Sequence, residues 1–309
     1  MTVTVTVSST TTKAAFFHEP GQLRKACRQG AFTTSTGGQC PGFVQANLLI
    51  LPARFAADFE RFCRRNPVSC PLLGVSANGD RKIPAPLISA GAAQLDSDVC
   101  SDLSGYNVYQ TSSGKLLSST ESVEEIWRPD FSSFFIGCSF SFENALAAGG
   151  LTPRHWSTGG QVAMYKTKYK LLPAGVFQGH MVVSMRPYRK EDVLKARQIT
   201  AEFISTHGEP VAWGYDQAKS VLGIEDISKP DFGFPTEILE GEVPIFWGCG
   251  VTPQLVAMET FARLAKERES GESGAMPLIE GEIAIGHMPG HMLVTDLPEE
   301  AVAHGQIIR

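Results

Sequence analysis

Two segments of the chain echo one another: Phe135-Ile136-Gly137-Cys138-Ser139 and Phe246-Trp247-Gly248-Cys249-Gly250. Each follows an apolar run and precedes a stretch with helical spacing. A chance match of five positions and a pseudo-symmetric pair of strand ends both account for the pattern. On the second reading, two strands end side by side and each feeds a helix. In open α/β sheets, ligands bind beyond the carboxyl ends of strands. Such ends would set two thiols and two helix N-termini around one cavity, and helix N-termini suit a carboxylate.

The rest of the chain agrees with a layered α/β fold. Residues 44–51 form a dense apolar run, expected as a largely buried strand covered on both faces by helices. Pro52 can open a helix whose buried face is Phe55, Phe59, Phe62 and Cys63, stopped before Pro67. Further strands are expected at 72–75, 134–138, 161–168, 180–185, 210–213, 243–247, 282–285 and 292–295. Residues 106–109 and 115–117 predict a strand pair around Gly114. Ser122 and Glu125 predict a capping box for a brief helix ending near Trp127. Ser139 or Ser141 is expected to cap a helix holding Glu143, and Thr252 to cap one opened by Pro253. Val193, Ala196, Thr200, Phe203 and Ile204 give a helical stripe between two strands, the local sign of an α/β layer. Residues 266–274 read as a charged loop or an exposed helix end, and residues 1–12 as a frayed tail or a short edge strand.

Composition narrows the function. The chain has 309 residues, 43% hydrophobic and 19% charged, with a formal net charge of -5. No basic stripe suggests nucleic acid, and no apolar run is long enough for a membrane span. The first residues lack the basic and apolar regions of a secretory signal. Seven scattered cysteines without a CxxC pair favour reduced thiols over a disulfide framework or a zinc site. A cytoplasmic location is expected, with the mitochondrial matrix as the alternative in a eukaryote. No GxGxxG, GxxxxGK[ST] or GxSxG motif is present, against the common nucleotide folds and the α/β-hydrolases.

Several residues are candidates for chemistry, each with a plainer alternative. Glu143 lies in a first helical turn, where the dipole favours its charged form, so a general acid there needs burial to win. Cys138 and Cys249 are either small buried hydrophobes or thiols activated near a helix N-terminus. His287 and His291 are four apart, but Pro289 and Gly290 argue against a helix and the glutamate of HExxH is missing. Each is either aimed into a site or a hydrogen-bonded structural residue. Arg186, at the end of an apolar strand, could hold a carboxylate bidentately or lie on the surface. Gln45 and Asn47 share strand parity and face a cavity or cap the preceding loop. Ser139, Tyr165 and Thr252 are further substrate contacts, and Asp296 is a turn residue or an orienting carboxylate. No metal ligand set or cofactor motif emerges, and a divalent metal stays open.

Longer segments carry a resemblance. They include Gly42 to Asn47, Phe62 to Pro67, Ser101 to Tyr106, Ile136 to Glu143, Val182 to Pro187, Pro230 to Gly233, Gly241 to Gln254 and Pro289 to Asp296. In these the chain resembles the D-glutamate cyclase family, whose bacterial members mostly carry a hydro-lyase label. The match runs in order over about residues 30 to 298. It departs at Gly286-His287-Met288, where threonine–histidine–alanine is usual, and in a longer, more charged 265–276 stretch.

The resemblance implies a fold of two intertwined α/β subdomains with mixed sheets and helices packed on them. Residues 13–149 plus 239–309 are assigned to the main part and 150–238 to an inserted second part. It also implies a hydro-lyase that converts D-glutamate to 5-oxo-D-proline with loss of water. Arg186 would then hold a substrate carboxylate, and Glu143, His287 or His291 would move protons. N–H groups after Cys138 and Cys249 would stabilise oxyanion charge, with Cys138 as a covalent nucleophile in a second version. The alternatives are a hydratase or dehydratase for another small acid, lactam hydrolysis, or a non-catalytic protein that binds a small carboxylate. A homodimer is compatible with the sequence, without an interface pattern to support it.

Overall fold

The computed structural model describes residues 16–158, 161–271, 276–277 and 279–303. The expected tail at 1–12 and the end of the charged 266–274 stretch lie outside these residues. In chain order the first elements are α1 (Pro20–Arg28), β1 (Phe43–Pro52), α2 (Ala53–Arg65), β2 (Leu72–Val75), α3 (Ala92–Asp96), β3 (Tyr106–Gln110), β4 (Leu116–Thr120) and β5 (Phe131–Gly137). Then come α4 (Glu143–Ala148), α5 (His155–Thr158), β6 (Ala163–Lys170), β7 (His180–Arg189), α6 (Val193–Ala201), β8 (Ala212–Trp213) and α7 (Gly214–Gln217). The chain closes with β9 (Glu242–Gly248), α8 (Val251–Glu269), β10 (Ile283–His287), β11 (Leu293–Pro298) and α9 (Glu299–Val302).

The strands form two sheets. The larger runs β2-β5-β1-β10-β3-β4, with β11 also paired to β1; the smaller runs β6-β7-β9-β8. All the pairings between neighbouring strands are antiparallel. The strand–helix–strand unit survives inside this pattern. β7 and β8 both run antiparallel to β9, so they point the same way, and α6 connects them. Strand β9, beyond the 238 limit expected for the second part, hydrogen-bonds into the smaller sheet.

The chain passes from the larger sheet to the smaller and back. After β5 and α4, the chain adds β6 to the smaller sheet, beside β7. After β9 and α8, it returns β10 and β11 to the larger sheet, beside β1. The smaller sheet is thus contiguous in sequence, and the larger one is completed by strands from both sides of it, two α/β subdomains as the resemblance implies. Both main cores are built jointly. One joins Leu48, Phe135, Ile245 and Trp247; the other joins Leu49, Phe59, Phe134, Val183 and Phe246. Successive residues of β1 point to opposite cores, as the two-residue strand period demands. Full burial of each such side chain contributes about 1.5–3 kcal/mol. Helix α2 supplies Phe55, Phe59, Phe62 and Cys63 at helical spacing, as expected.

Some local expectations need correction. Strand β7 does not stop at Arg186 but continues to Arg189, and its register sets Pro187 opposite Pro244. Proline costs a strand its N–H donor; here the two deficits fall across from each other. Ser139 and Ser141 do not cap α4 through their side chains, and a 3-10 turn over Ser139–Phe142 intervenes. Helix α8 begins at Val251, with Thr252 inside it and Gly250 at the cap position. The 122–127 segment is a 3-10 turn, Glu124–Ile126, instead of a helix, and the Ser122 hydroxyl accepts the Glu124 N–H at 3.3 Å.

Candidate active site

The two echoing segments occupy equivalent places. Gly137 pairs with Ala46 on β1, and Gly248 pairs with Val183 on β7. One residue on, Cys138 N–H donates to the Gln45 carbonyl at 3.2 Å and Cys249 N–H to the Val182 carbonyl at 3.1 Å. Three residues further, the Ser141 hydroxyl accepts the Gln45 N–H at 3.0 Å, and the Thr252 hydroxyl accepts the Val182 N–H at 3.0 Å. The hydroxyls expected to cap helices instead pin each turn to the neighbouring strand. Serine and threonine offer the backbone such local partners readily. The match is a structural correspondence and not a chance run of five letters.

Asn47 joins the two turns. Its amide donates to the Gly137 carbonyl at 3.0 Å. A Cβ at Gly250 would lie 1.8 Å from its nitrogen. Only glycine lets the second turn approach so closely. Burial pushes Cys138 up to about 12 and Cys249 up to about 11, against backbone N–H groups of Phe140 and Val251 that favour the thiolates. Cys249 lies near enough to Cys138 to add to the rise of its thiol. Both are neutral thiols at pH 7, and a thiol is a poor nucleophile. All seven cysteines are free and buried.

Beside the first turn lies a buried ionic network. Glu143 is 2% exposed and Arg186 is 1% exposed. Arg186 Nε donates to Glu143 Oε1 at 2.8 Å, and its Nη2 reaches the same oxygen. Its remaining bonds go to Ser184 Oγ at 3.2 Å and Ser139 Oγ at 3.1 Å. The guanidinium lies against the rings of Phe142 and Trp247, 5.2 and 5.5 Å from their centroids. Glu143 Oε2 accepts Trp156 Nε1–H at 2.8 Å and stands 3.1 Å from His155 Nε2. Burial alone would raise the Glu143 carboxyl. Arg186 and His155 outweigh it and hold the group below its usual value. Glu143 is therefore ionised, and the Arg186 fork is engaged within the protein.

The other expected residues divide. Gln45 Nε2 donates to the Thr36 carbonyl at 3.1 Å, capping the preceding loop, while its Oε1 finds no partner among the described residues. His287 is buried on β10, its Nδ1 3.3 Å from both the Leu48 nitrogen and the Leu48 carbonyl oxygen. Burial lowers it to about 4, so it is neutral. His291 is lowered by burial as well and bonds Ser104 Oγ at 2.9 Å. Tyr165 lies in a core, its hydroxyl donating to the Ile227 carbonyl at 2.6 Å. Asp296, on β11, pairs with Arg24 at 2.7 Å and accepts the Ser89 N–H at 2.9 Å. The structure thus gathers Asn47, Cys138, Ser139, Glu143, Arg186, Cys249 and Thr252. Tyr165, Asp296 and the two histidines are held in other networks. Among the described residues no group of three or more His, Cys, Asp or Glu side chains converges as a metal site, and no helix is long and apolar enough to cross a membrane.

Sequence reasoning missed His155, Trp156 and Glu299. The first two follow Pro153 and Arg154 in a stretch with no periodicity, and only a contact across sequence reveals them. A small cavity of about 20 Å³ is lined by Gln45, Phe140, Glu143, Asn144, Trp156 and Glu299, among others. Glu299 Oε1 accepts the Asn144 amide at 3.0 Å. Burial, with Glu300 and Glu143, raises its carboxyl to about 7. Two carboxyls on one cavity thus shift in opposite directions.

Comparison with known proteins supplies the remaining context. Residues 132–296 match the model of the D-glutamate cyclase family. A "Putative hydro-lyase" of Azorhizobium caulinodans is 46% identical over 283 residues, covering 92% of this chain and 93% of that protein. One from Burkholderia cenocepacia is 44% identical, covering 92% and 98%. One from Schizosaccharomyces pombe is 44% identical, covering 90% and 84%. The matched segment contains both cysteine turns, Glu143, His155 and Arg186; Glu299 falls three residues beyond it.

Proposed function

The chain belongs to the D-glutamate cyclase family, and from that premise we propose that it is a hydro-lyase that closes D-glutamate to 5-oxo-D-proline. In that reaction the ammonium nitrogen gives up two protons and bonds to the side-chain carboxyl carbon. One carboxyl oxygen leaves with both protons as water. The protein must accept a proton from the amine, return one to the departing oxygen, and stabilise a tetrahedral oxyanion between.

One observation carries this reading: a buried, ionised Glu143 that bonds Arg186 on one oxygen and His155 and Trp156 on the other. A carboxylate fixed on an imidazole orients it, the arrangement used for general base catalysis. His155 is the proton carrier in this account, and Glu143 sets its orientation. Arg186 acts by keeping Glu143 charged. The N–H groups of Ser139 and Gly250, at the two equivalent turns, are assigned to the oxyanion. The neutral thiols favour direct attack by the amine over an acyl-cysteine. The test is incubation of the protein with D-glutamate, L-glutamate and 5-oxo-D-proline separately, followed by chiral separation. Stereoselective 5-oxo-D-proline formation is expected, and turnover that is lost in His155→Ala. Folded protein inert on all three compounds would contradict the assignment.

A further inference from the structure

The cavity between Gln45, Glu143 and Glu299 has a use beyond this scheme. It is about 20 Å³, and one water needs roughly 10–15 Å³ of such space together with two to four polar partners. Its polar lining is rich in acceptors. Gln45 Oε1 is buried and unpartnered among the described residues, although the residue is only 4% exposed. Glu143 is an ionised carboxylate. Asn144 donates to one oxygen of Glu299, which leaves the other oxygen to carry the proton.

We propose that this cavity is a binding site for one water, which accepts a hydrogen bond from protonated Glu299 and donates to Gln45 Oε1 and Glu143. The water then has one donor and two acceptors around it, and the orphaned Gln45 oxygen gains a partner. An ionised Glu299 would leave three acceptors competing for two hydrogens, with two negative carboxylates sharing one desolvated space. Glu299 is thus a positioning residue. Its proton holds the water, and the water supports the Glu143 carboxylate that orients His155, so the inference rests on the reading of Glu143 given above.

The surroundings of Glu299 agree with this charge balance. Glu143 on α4 and Glu300 on α9 raise its carboxyl. Strand β1 brings Gln45 and Asn47, neither titratable. Strand β11 brings Asp296, already paired with Arg24. Cys40 in the facing loop is pushed up by burial to about 11, and His207, following the 204–206 turn packed on α9, is lowered by burial to about 4.

Glu299→Gln is the decisive variant, because its amide imitates the protonated acid: it donates to the water and accepts from Asn144. A carboxyl raised in the folded state favours folding most below pH 4.5, and that advantage is lost as pH rises through about 7. Wild-type protein should therefore lose roughly 5 °C of Tm relative to E299Q between pH 5 and 8. A crystal structure at pH 6 should show one water within hydrogen-bond distance of Gln45 and Glu299. With D-glutamate as substrate, the wild-type rate should fall as pH rises through the same range, while E299Q keeps its rate. Parallel melting curves, or a dry cavity, would overturn the proposal. If no compound is turned over, the function assigned above fails, yet the melting curves and the crystal structure still decide the water site.

Discussion

Arg186 and Glu143 illustrate what a buried ion pair demands of single residues. Each is nearly inaccessible, and each is bonded to the other and to Ser139, Ser184, His155 or Trp156. Removing one partner strands a charge in a medium that solvates it poorly, at a cost of about 3–5 kcal/mol. Arg186→Met should accordingly be more destabilising alone than in combination with Glu143→Gln. Denaturant unfolding of the two single variants and the double variant measures this, and additive losses would contradict the pairing. The pH dependence has a definite sign. Because Glu143 is held below its usual value, its contribution is present above pH 4.5 and is lost as pH falls through its folded value. The sequence made Glu143 a candidate through its place after Cys138. It did not connect Glu143 to Arg186, because 43 residues separate them and spacing carries no information across two different sheets. His155, Trp156 and Glu299 were invisible for the same reason.

At the level of elements, the turn after β5 and the turn after β9 act as a matched pair. Each consists of a cysteine N–H bonded to the adjacent strand and a hydroxyl three residues later that returns to the same strand residue. This part was legible, since both turns carry cysteine at the strand end and serine or threonine three positions on. What the letters did not carry is the bridge: Asn47, from β1, fills the space that a side chain at Gly250 would need. Gly250→Ala should cost about 1–3 kcal/mol through overpacking. Asn47→Ala on that background should recover part of the loss, because the clash disappears with the amide. A double-mutant cycle by thermal unfolding reads the coupling, and a pair of independent penalties would refute the contact. Arg186 was misread for a related reason. Proline after it suggested a strand end, whereas the opposing Pro244 lets β7 run on and buries the arginine in mid-strand.

Over the whole molecule, the return of β10 and β11 to the larger sheet after the smaller one is complete, together with the shared cores, ties the two sheets together. Apolar runs and helical stripes were enough to place most of these elements, because each is set by local periodicity. Strand direction and partner choice are set by long-range pairing, so the antiparallel order and the place of β9 in the smaller sheet emerge only from the fold. The packing of the two sheets brings one cysteine turn from each to Asn47, with the ionic network of Glu143 beside the first. The central claim is that this junction expels water from a small amino acid. D-glutamate carrying ¹⁸O at both oxygens of its side-chain carboxyl tests it most directly, with the product and the solvent water analysed by mass. The account predicts 5-oxo-D-proline that keeps one label while the other appears in water, with the L-enantiomer left unchanged. Folded protein that leaves the labelled D-glutamate intact, or that releases no labelled water, would contradict it.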